Sequence, residues 1–203
     1  MTARLFGLIP AAGHSRRMGA PKLLLPWGEG TIIGQVLRLL GHSPVAATVV
    51  VCRAADLPLQ QEVLKAGGKL CLPDPDPEEM RYSVQAGLKH LEESFRPQPD
   101  DGWLLIPADH PLLSATLLEQ LIHAWQSSTA DVLVPTFRGH RGHPSLVRWR
   151  LAQRVPAIPA DKGLNSLFRS PEVTVQEFPV EDDRILLDLD TPEDYARWVN
   201  APS

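Results

Sequence analysis

The sequence of 203 residues contains little cysteine and no long apolar run. Its two cysteines, Cys52 and Cys71, form no CxxC motif, which argues against the disulfide framework of small secreted domains. No stretch reaches the roughly 18 apolar residues that span a bilayer, so we expect no membrane helix. Because no basic residue leads an apolar segment at Met1, we expect a cytoplasmic protein rather than an exported one.

The sequence also lacks an excess of basic residues, since 20 Lys and Arg face 24 Asp and Glu and the net charge is −4. A nucleic-acid-binding face normally shifts this balance to positive values, so we expect no nucleic-acid partner. The charge is nevertheless uneven, because residues 1–28 and 132–160 carry four and five basic residues and no acid. A local site for a small anion such as phosphate is one interpretation, and chance clustering on a solvated surface is the other.

Internal repeats, low-complexity tracts and heptads are absent, and apolar runs of strand length alternate with segments of helical periodicity. This alternation predicts an α/β fold, a doubly wound Rossmann-like three-layer sandwich around a mostly parallel central sheet. We expect one domain over residues 1–203. In such sheets ligands bind beyond the carboxyl ends of the strands, so functional residues are sought in the loops at that edge.

The predicted elements follow from apolar periodicity and capping residues. Strands are predicted at 5–9, 48–52, 70–72, 103–106, 131–134, 173–178 and 185–187. Helices are predicted after Thr31, at 57–66, 81–91 and 114–125, and after Thr191, and Thr116 with Glu119 resembles a capping box. The stretch 136–172 shows no regular pattern, and Pro10, Pro107 and Pro135 are each expected just after a strand.

The loop after the first strand, AAGHSRRMGAPK at 11–22, matches neither the GxGxxG fingerprint nor the phosphate loop of P-loop proteins. It shares their physical features, because small residues let backbone N–H groups approach a phosphate while Arg16 and Lys22 supply positive charge. A phosphate-binding loop and a mobile glycine loop with surface basic residues both fit this pattern.

Carboxylates follow two of the predicted strands and form a candidate metal site. Asp109 follows the run at 103–106, and Asp188 and Asp190 follow the run at 185–187. Mg²⁺ is typically held by one or two carboxylates together with substrate phosphates, and period-two spacing points Asp188 and Asp190 the same way. A turn residue at Asp109 and a helix-entry acid at Asp190 are the alternative interpretations.

The glycine-spaced loop RGHRGHP at 138–144 carries two guanidinium groups, which suit recognition of phosphate or of a planar ring. Zinc binding by His140 and His143 is disfavoured because no third ligand lies nearby in the sequence. A hydrolase triad is also disfavoured, because Ser15 lies in no GxSxG elbow.

Four motifs, in order along nearly the whole chain, resemble those of MobA-like nucleotidyltransferases. The segment PAAGHSRRMGAPK at 10–22 is similar to the family signature LAAGxSxRMGxxK, and ADHP at 108–111 resembles GDxP. The segments RGHP at 141–144 and DLDTPED at 188–194 resemble the family's RGHP and DxDTPED. The AAG form and RGHP are most similar to the molybdenum cofactor cytidylyltransferase branch.

The resemblance implies a Mg²⁺-dependent enzyme that transfers CMP from CTP, favoured over GTP, to the phosphate of molybdopterin and releases pyrophosphate. A molybdenum hydroxylase is a further partner that it suggests. Catalytic roles fall to Arg16, Lys22 and Asp109. Nucleotide binding falls to Ala11, Ala12, Gly13, Ser15, Arg16, Lys22, Ser83 and Asp109. Acceptor binding falls to Arg141, Gly142 and His143, and metal binding falls to Asp109 and Asp190, with Asp188 as the alternative to Asp190.

The sequence departs from the family pattern at a few positions. Pro10 replaces leucine, Ala108 replaces the glycine of GD, and Glu79 replaces the glycine of a GMxxS segment. The segment DKGLN at 161–165 stands where the cytidylyltransferases have GDRGAR, so one expected arginine is missing. Transfer to a sugar phosphate or another small phosphorylated acceptor, and a non-catalytic chaperone that binds nucleotide or cofactor for a molybdenum enzyme, are therefore alternative hypotheses.

Overall fold

The computed structural model describes residues 3–15, 17–159 and 162–199. Within these residues, none of the helices has both the length and the apolar character that crossing a membrane requires. The strands, in chain order, are β1 (Leu5–Pro10), β2 (Pro26–Trp27), β3 (Gly30–Thr31), β4 (Ala47–Val51), β5 (Lys69–Cys71), β6 (Gly102–Leu105), β7 (Val132–Phe137), β8 (His140–Arg141), β9 (Ser145–Arg148) and β10 (Val175–Pro179). The α-helices are α1 (Ile32–Gly41), α2 (Leu57–Lys65), α3 (Met80–Phe95), α4 (Ala115–Ser127), α5 (Asn165–Phe168) and α6 (Pro192–Trp198).

The central sheet has the strand order β10-β7-β9-β6-β1-β4-β5, with β8 paired to β7. The pairs of β1 with β4 and β6, of β4 with β5 and of β7 with β10 are parallel. Strand β9 runs antiparallel between β6 and β7. β1 is buried on both faces except at Pro10, as its uninterrupted apolar sequence requires for a central strand.

Helices cover both faces of the sheet. On one face α1, α2 and α4 pack their apolar sides into a common core, which also contains Ile185 and Leu189. On the other face α3, α5 and a 3-10 segment, Trp149–Ala157, form a second core against the sheet. The structure therefore confirms the α/β sandwich with a mostly parallel sheet that the sequence predicts.

The capping residues bear out most of the predicted helix starts. The Thr31 hydroxyl accepts a hydrogen bond from the Gly34 N–H, and Thr191 and Asp194 form a capping box at α6. At α4, however, the cap is Ser114, whose hydroxyl accepts from Leu117 N–H, and the predicted Thr116 and Glu119 box is wrong. The true cap lies two residues earlier, where the chain is still extended.

Three further predictions are wrong in detail. The run at 185–187 is not a strand, because Asp183–Leu186 forms a 3-10 turn whose Ile185 is buried under the sheet. Pro135 lies inside β7 and Pro10 is the last residue of β1, so neither lies after its strand. The stretch 136–172 contains β9, whose pairing with two distant strands leaves no local periodicity to detect.

Candidate active site

A cleft of about 490 Å³ opens at the carboxyl ends of β1 and β6. The chain reaches this edge from four separate segments, which are the loop after β1, the entry of α3, the turn after β6 and the residue before the cap of α6. Predicted site residues that line it are Ala11, Ala12, Gly13, Ser15, Lys22, Ser83, Asp109 and Asp190. The topology thus gathers residues that are up to 179 positions apart in the sequence.

The loop after β1 presents backbone to the cleft. Ala11 and Ala12 are buried, and the Ala11 N–H extends the parallel ladder by donating to the Val51 carbonyl at 2.9 Å. Gly13 is exposed and faces open space, while Ser15 adopts a left-handed conformation with φ of 49°. Small side chains therefore leave the backbone N–H groups near Gly13 accessible to a phosphate group.

Lys22 joins two aspartates from distant segments, Asp109 in the turn after β6 and Asp190 just before the cap of α6. Its Nζ lies 2.6 Å from Asp109 Oδ2 and 3.0 Å from Asp190 Oδ1, and its side chain is only 11% exposed. A second cation, Arg17, donates from Nη1 to Asp190 Oδ2 at 2.7 Å. The carboxylates thus converge on one buried ammonium group at the edge of the cleft.

Electrostatics keep this ammonium group charged. Burial lowers the pKa of Lys22, but the charges and hydrogen bonds of Asp109 and Asp190 outweigh burial and hold the pKa above its ordinary value. The pKa of the neighbouring Asp188 is also raised, by partial burial and by the nearby carboxylates of Asp190 and Asp109, which in a carboxyl group favours the neutral form. Negative charge is therefore concentrated here, which favours a cation between the carboxylates.

The donor set fits a hard divalent cation. Asp109 and Asp190 offer carboxylate oxygens beside a loop suited to phosphate, and Lys22 already shows that a positive group is held by both of them. In the described part of the chain, no three His, Cys, Asp or Glu side chains converge on a possible metal position. A metal here would therefore take its remaining ligands from phosphate and water, as Mg²⁺ usually does.

The entry of α3 forms the opposite wall of the cleft. Ser83 is buried in the first turn, and Glu79 and Met80 line the cleft before it. One turn later Gly87 packs directly on β1, because a Cβ atom there would collide with the Leu8 side chain. This close packing holds Ser83 beside the loop after β1.

The residues expected to bind the acceptor lie outside the lining of this cleft. Arg141 on β8 donates from Nε and Nη2 to Glu177 Oε1 at 2.9 Å, toward the β10 edge of the sheet. Gly142 and His143 are covered by the Ile185 segment. His140 is exposed, and neither it nor His143 belongs to a three-ligand group within the described residues.

The basic stretch at 132–160 serves mainly to hold the fold together. Arg148 is buried, lies over the Trp125 ring and donates to backbone carbonyls. Arg150 pairs with Asp131, and Arg154 pairs with Glu172. Of the two basic stretches, the first therefore supplies cations to the cleft and the second supplies ion pairs to the structure.

Arg16 and Asp161 lie outside the residues that the structure describes. Two other residues of the site were not predicted from the sequence. Arg17 contacts Asp190 and His110 is buried next to Asp109, although neither was assigned to the site. For Arg17 the available signal was the family signature, whose arginine aligns with Arg17 and not with Arg16. For His110 it was adjacency to Asp109.

The fold and the cleft define a class of protein, in which a loop of small residues and a pair of carboxylates meet at the carboxyl edge of a doubly wound sheet. The model of the MobA-like NTP transferase domain family matches residues 7–176. The chain therefore belongs to this family and is a nucleotidyltransferase, as the four sequence motifs imply.

Curated relatives carry several names. The chain is 24% identical over 190 residues to the molybdenum cofactor cytidylyltransferase of Escherichia coli K12, covering 93% of this chain and 92% of that protein. It is 26% identical over 196 residues to a probable molybdenum cofactor guanylyltransferase of Mycobacterium marinum, covering 94% and 90%. It is 36% identical over 142 residues to the 2-C-methyl-D-erythritol 4-phosphate cytidylyltransferase of Halorhodospira halophila, covering 66% and 57%.

Among solved structures, Rv0371c from Mycobacterium tuberculosis H37Rv superposes with a TM-score of 0.83 at 23% identity, covering 98% of this chain and all of that chain. A second structure of Rv0371c, a complex with manganese, gives a TM-score of 0.77 at 22% identity, covering 98% of this chain and 100% of that chain. At this identity the likeness establishes the fold alone.

Proposed function

We propose that the protein transfers CMP from CTP to the phosphate of molybdopterin and releases pyrophosphate. The observation that carries the proposal is the convergence of Asp109, Asp190 and Lys22 beside the Gly13 loop. The relative from Escherichia coli, which is matched over nearly its whole length, supports the choice of CTP and of a molybdenum cofactor acceptor.

The proposed nucleotide position follows from the cleft walls. The backbone N–H groups near Gly13 and the charges of Lys22 and Arg16 would bind the triphosphate, while Ala11, Ala12 and Ser15 shape the loop. Ser83, on the opposite wall, would contact the base or the ribose. Base and triphosphate then lie across the cleft, with the α-phosphate near Asp109.

Asp109 and Asp190 are the residues that would hold Mg²⁺, with Asp188 available at the rim. When bound, the ion supplies positive charge to the phosphate oxygens on which negative charge develops. The chain's own contribution is positioning, since phosphoryl-type transfers need little covalent chemistry from protein. Lys22 contacts both carboxylates and would move to the triphosphate when they bind the ion.

In the proposed reaction, an oxygen of the acceptor phosphate attacks the α-phosphorus of CTP in line with the leaving group. The bond from α-phosphorus to the oxygen that bridges to the β-phosphate breaks, and its electron pair leaves with pyrophosphate. Positive charge at Lys22 and Arg16 stabilises the departing pyrophosphate, because a preorganised cation is worth most where negative charge develops. Arg141, on the exposed hairpin, would bind the acceptor, and a molybdenum hydroxylase would receive the product.

The test is pyrophosphate release by the purified protein with Mg²⁺, molybdopterin and, in turn, CTP, GTP and ATP. We expect release with CTP above the other nucleotides, and loss of release in Asp109→Ala while the far-UV circular dichroism stays unchanged. Release with GTP alone would move the base assignment to guanine. No release by a folded protein that still binds CTP would favour the non-catalytic chaperone.

A second acceptor class is a small phosphorylated alcohol. The relative from Halorhodospira halophila, named for 2-C-methyl-D-erythritol 4-phosphate, favours it, and so does the altered segment at 161–165. The same release assay with 2-C-methyl-D-erythritol 4-phosphate and with sugar phosphates separates the two, because only the true acceptor gives a stoichiometric CMP-bearing product.

A further inference from the structure

The loop that carries Gly142 and His143 is fastened to the segment that leads to Asp190. The Gly142 N–H donates to the Pro135 carbonyl at 2.9 Å, and the His143 N–H donates to the Ile185 carbonyl at 2.9 Å. Gly142 lies so close to this segment that an added Cβ atom would collide with the Ile185 carbonyl oxygen. Glycine is therefore required at 142 for contact with Ile185, independently of any bound acceptor.

The contact continues from Ile185 to both aspartates. Ile185 and Leu189 are fully buried in the same core, and the Leu189 N–H donates to the Asp109 carbonyl at 3.2 Å. Asp190 is the next residue, so its position depends on how this segment is held. The segment is thus fixed at Ile185 by the loop and at Leu189 by the backbone of Asp109.

The imidazole rings of His110 and His143 make a second contact between the turn that carries Asp109 and the loop that carries Gly142. His110, which follows Asp109 and is 5% exposed, meets the His143 ring edge to face, with centroids 5.3 Å apart and planes at 77°. Neither Nδ1 atom has a hydrogen-bond partner in the part of the chain that the structure describes.

We propose that Gly142, His143 and His110 form a positioning unit that sets the separation of the Asp109 and Asp190 carboxylates. This unit acts on the metal site and does not contact the acceptor. The inference rests on the proposed function only in taking the two aspartates as metal ligands. Residues that orient metal ligands typically change metal affinity about 10- to 100-fold when they are replaced.

The experiment measures Mn²⁺ binding to the whole protein in the presence of CTP, by the loss of the electron paramagnetic resonance signal of free Mn²⁺. The variants are Gly142→Ala and His143→Ala. Their matched controls are Gly41→Ala, where an added Cβ meets open space, and His140→Ala, where the imidazole is exposed on the same hairpin. We expect roughly tenfold or weaker Mn²⁺ binding in the two variants and unchanged binding in both controls.

A variant that merely unfolds is recognised by circular dichroism, and His143→Gln then takes its place because it keeps a buried side chain of similar length. We expect the glutamine variant to bind Mn²⁺ more tightly than the alanine variant. The steady-state constants give a second readout, since a positioning role raises the Mn²⁺ concentration needed for half-maximal rate and leaves the acceptor KM unchanged.

Two results would count against the proposal in different ways. Wild-type Mn²⁺ affinity in Gly142→Ala and His143→Ala, together with a raised acceptor KM, overturns the positioning unit and restores the acceptor contact. Absence of Mn²⁺ binding in the wild-type protein overturns the metal site itself, and with it both the proposed function and this inference.

Discussion

At the scale of single residues, Lys22 is the side chain that joins the two aspartates of the cleft. Its ammonium group is 11% exposed and touches both Asp109 and Asp190, although the three residues come from separate segments of the chain. The contact explains why a lysine follows the small-residue loop at this distance in the sequence. Without it, two carboxylates would face one another across a partly buried space.

Replacement of Lys22 by methionine tests this contact. We expect Lys22→Met to lower kcat/KM for the nucleotide about a hundredfold, since loss of one preorganised contact to developing charge costs about 3 kcal/mol. The measurement is steady-state pyrophosphate release over a range of CTP. Arg38→Met is the control, because Arg38 is a surface cation whose guanidinium group donates to Gln35 across one turn of α1. An equal loss there would remove the special role of Lys22.

A second residue-scale prediction separates Asp190 from Asp188. Asp190 contacts Lys22 and Arg17 and lines the cleft, whereas Asp188 is exposed at the rim. We expect Asp190→Asn to weaken Mn²⁺ binding in the presence of CTP by at least tenfold more than Asp188→Asn. The reverse order in the same titration would assign the second metal ligand to Asp188.

At the scale of elements, charged side chains connect the amino terminus to the end of α3. Asp101 is 4% exposed and accepts hydrogen bonds from the backbone N–H of Arg4, the Arg4 guanidinium and the Gln98 N–H. Burial alone would raise the pKa of Asp101, but these hydrogen bonds outweigh it and lower the pKa. Asp101 therefore secures β1 beside β6 at the edge opposite the cleft.

The pH dependence of the free energy of unfolding tests the contact between Asp101 and Arg4. Because the folded pKa of Asp101 lies below its unfolded value, its stabilisation is complete above about pH 4 and is lost as the pH falls through the folded pKa. We expect Asp101→Asn to lower the free energy of unfolding by about 2 kcal/mol at pH 7. We expect a smaller difference from the wild type at pH 3, measured by urea unfolding, and a constant difference at both pH values would contradict the account.

Local sequence patterns predict the helices and strands that are determined by residues close together in the sequence. β1, β4, α1 and α6 match their predictions, because a buried apolar run or a capping residue determines each of them. β9 was missed because its stability comes from antiparallel pairing with two strands distant in the sequence. The run at 185–187 is predicted as a strand but forms a 3-10 turn. A short apolar run does not show by its sequence periodicity which of the two it adopts.

The same difference between local and long-range causes decides which residues of the candidate site the sequence predicts. The loop after β1, Ser83 and Asp109 lie in the cleft because the carboxyl ends of parallel strands share one edge, which the alternation of elements already implies. The burial of Gly142 and His143 under Ile185 depends on where β9 enters the sheet, so a motif alone assigns them no place.

At the scale of the whole molecule, the net charge is only −4, but the basic residues are unevenly distributed along the chain. Lys22 and Arg17 of the amino-terminal stretch reach the cleft. At 132–160, by contrast, Arg150 and Arg154 form ion pairs with acids of the fold, and Arg148 donates to backbone carbonyls. In the proposed function, the cleft is the place where an anion would meet these cations. This arrangement suits a small polyanion better than an extended nucleic acid.

Nucleotide binding should therefore stabilise the whole fold. At 100 times its Kd, CTP with Mg²⁺ should raise the free energy of unfolding by about 2.7 kcal/mol, which corresponds to a rise in Tm of roughly 5–10 °C for a protein of this size. Differential scanning calorimetry with and without the nucleotide gives the shift. An unchanged Tm at saturating CTP would show that the cleft does not bind it.

The most direct test of the central claim uses CTP with radioactive phosphorus at its α-phosphate and identifies the product that receives this label. The wild-type protein with Mg²⁺ and molybdopterin should move this label into a product that contains the acceptor and CMP, while label at the γ-phosphate should appear only in pyrophosphate. Asp109→Asn should form neither product. Transfer of the γ-label to the acceptor, or transfer of the α-label by Asp109→Asn at the wild-type rate, would contradict the account.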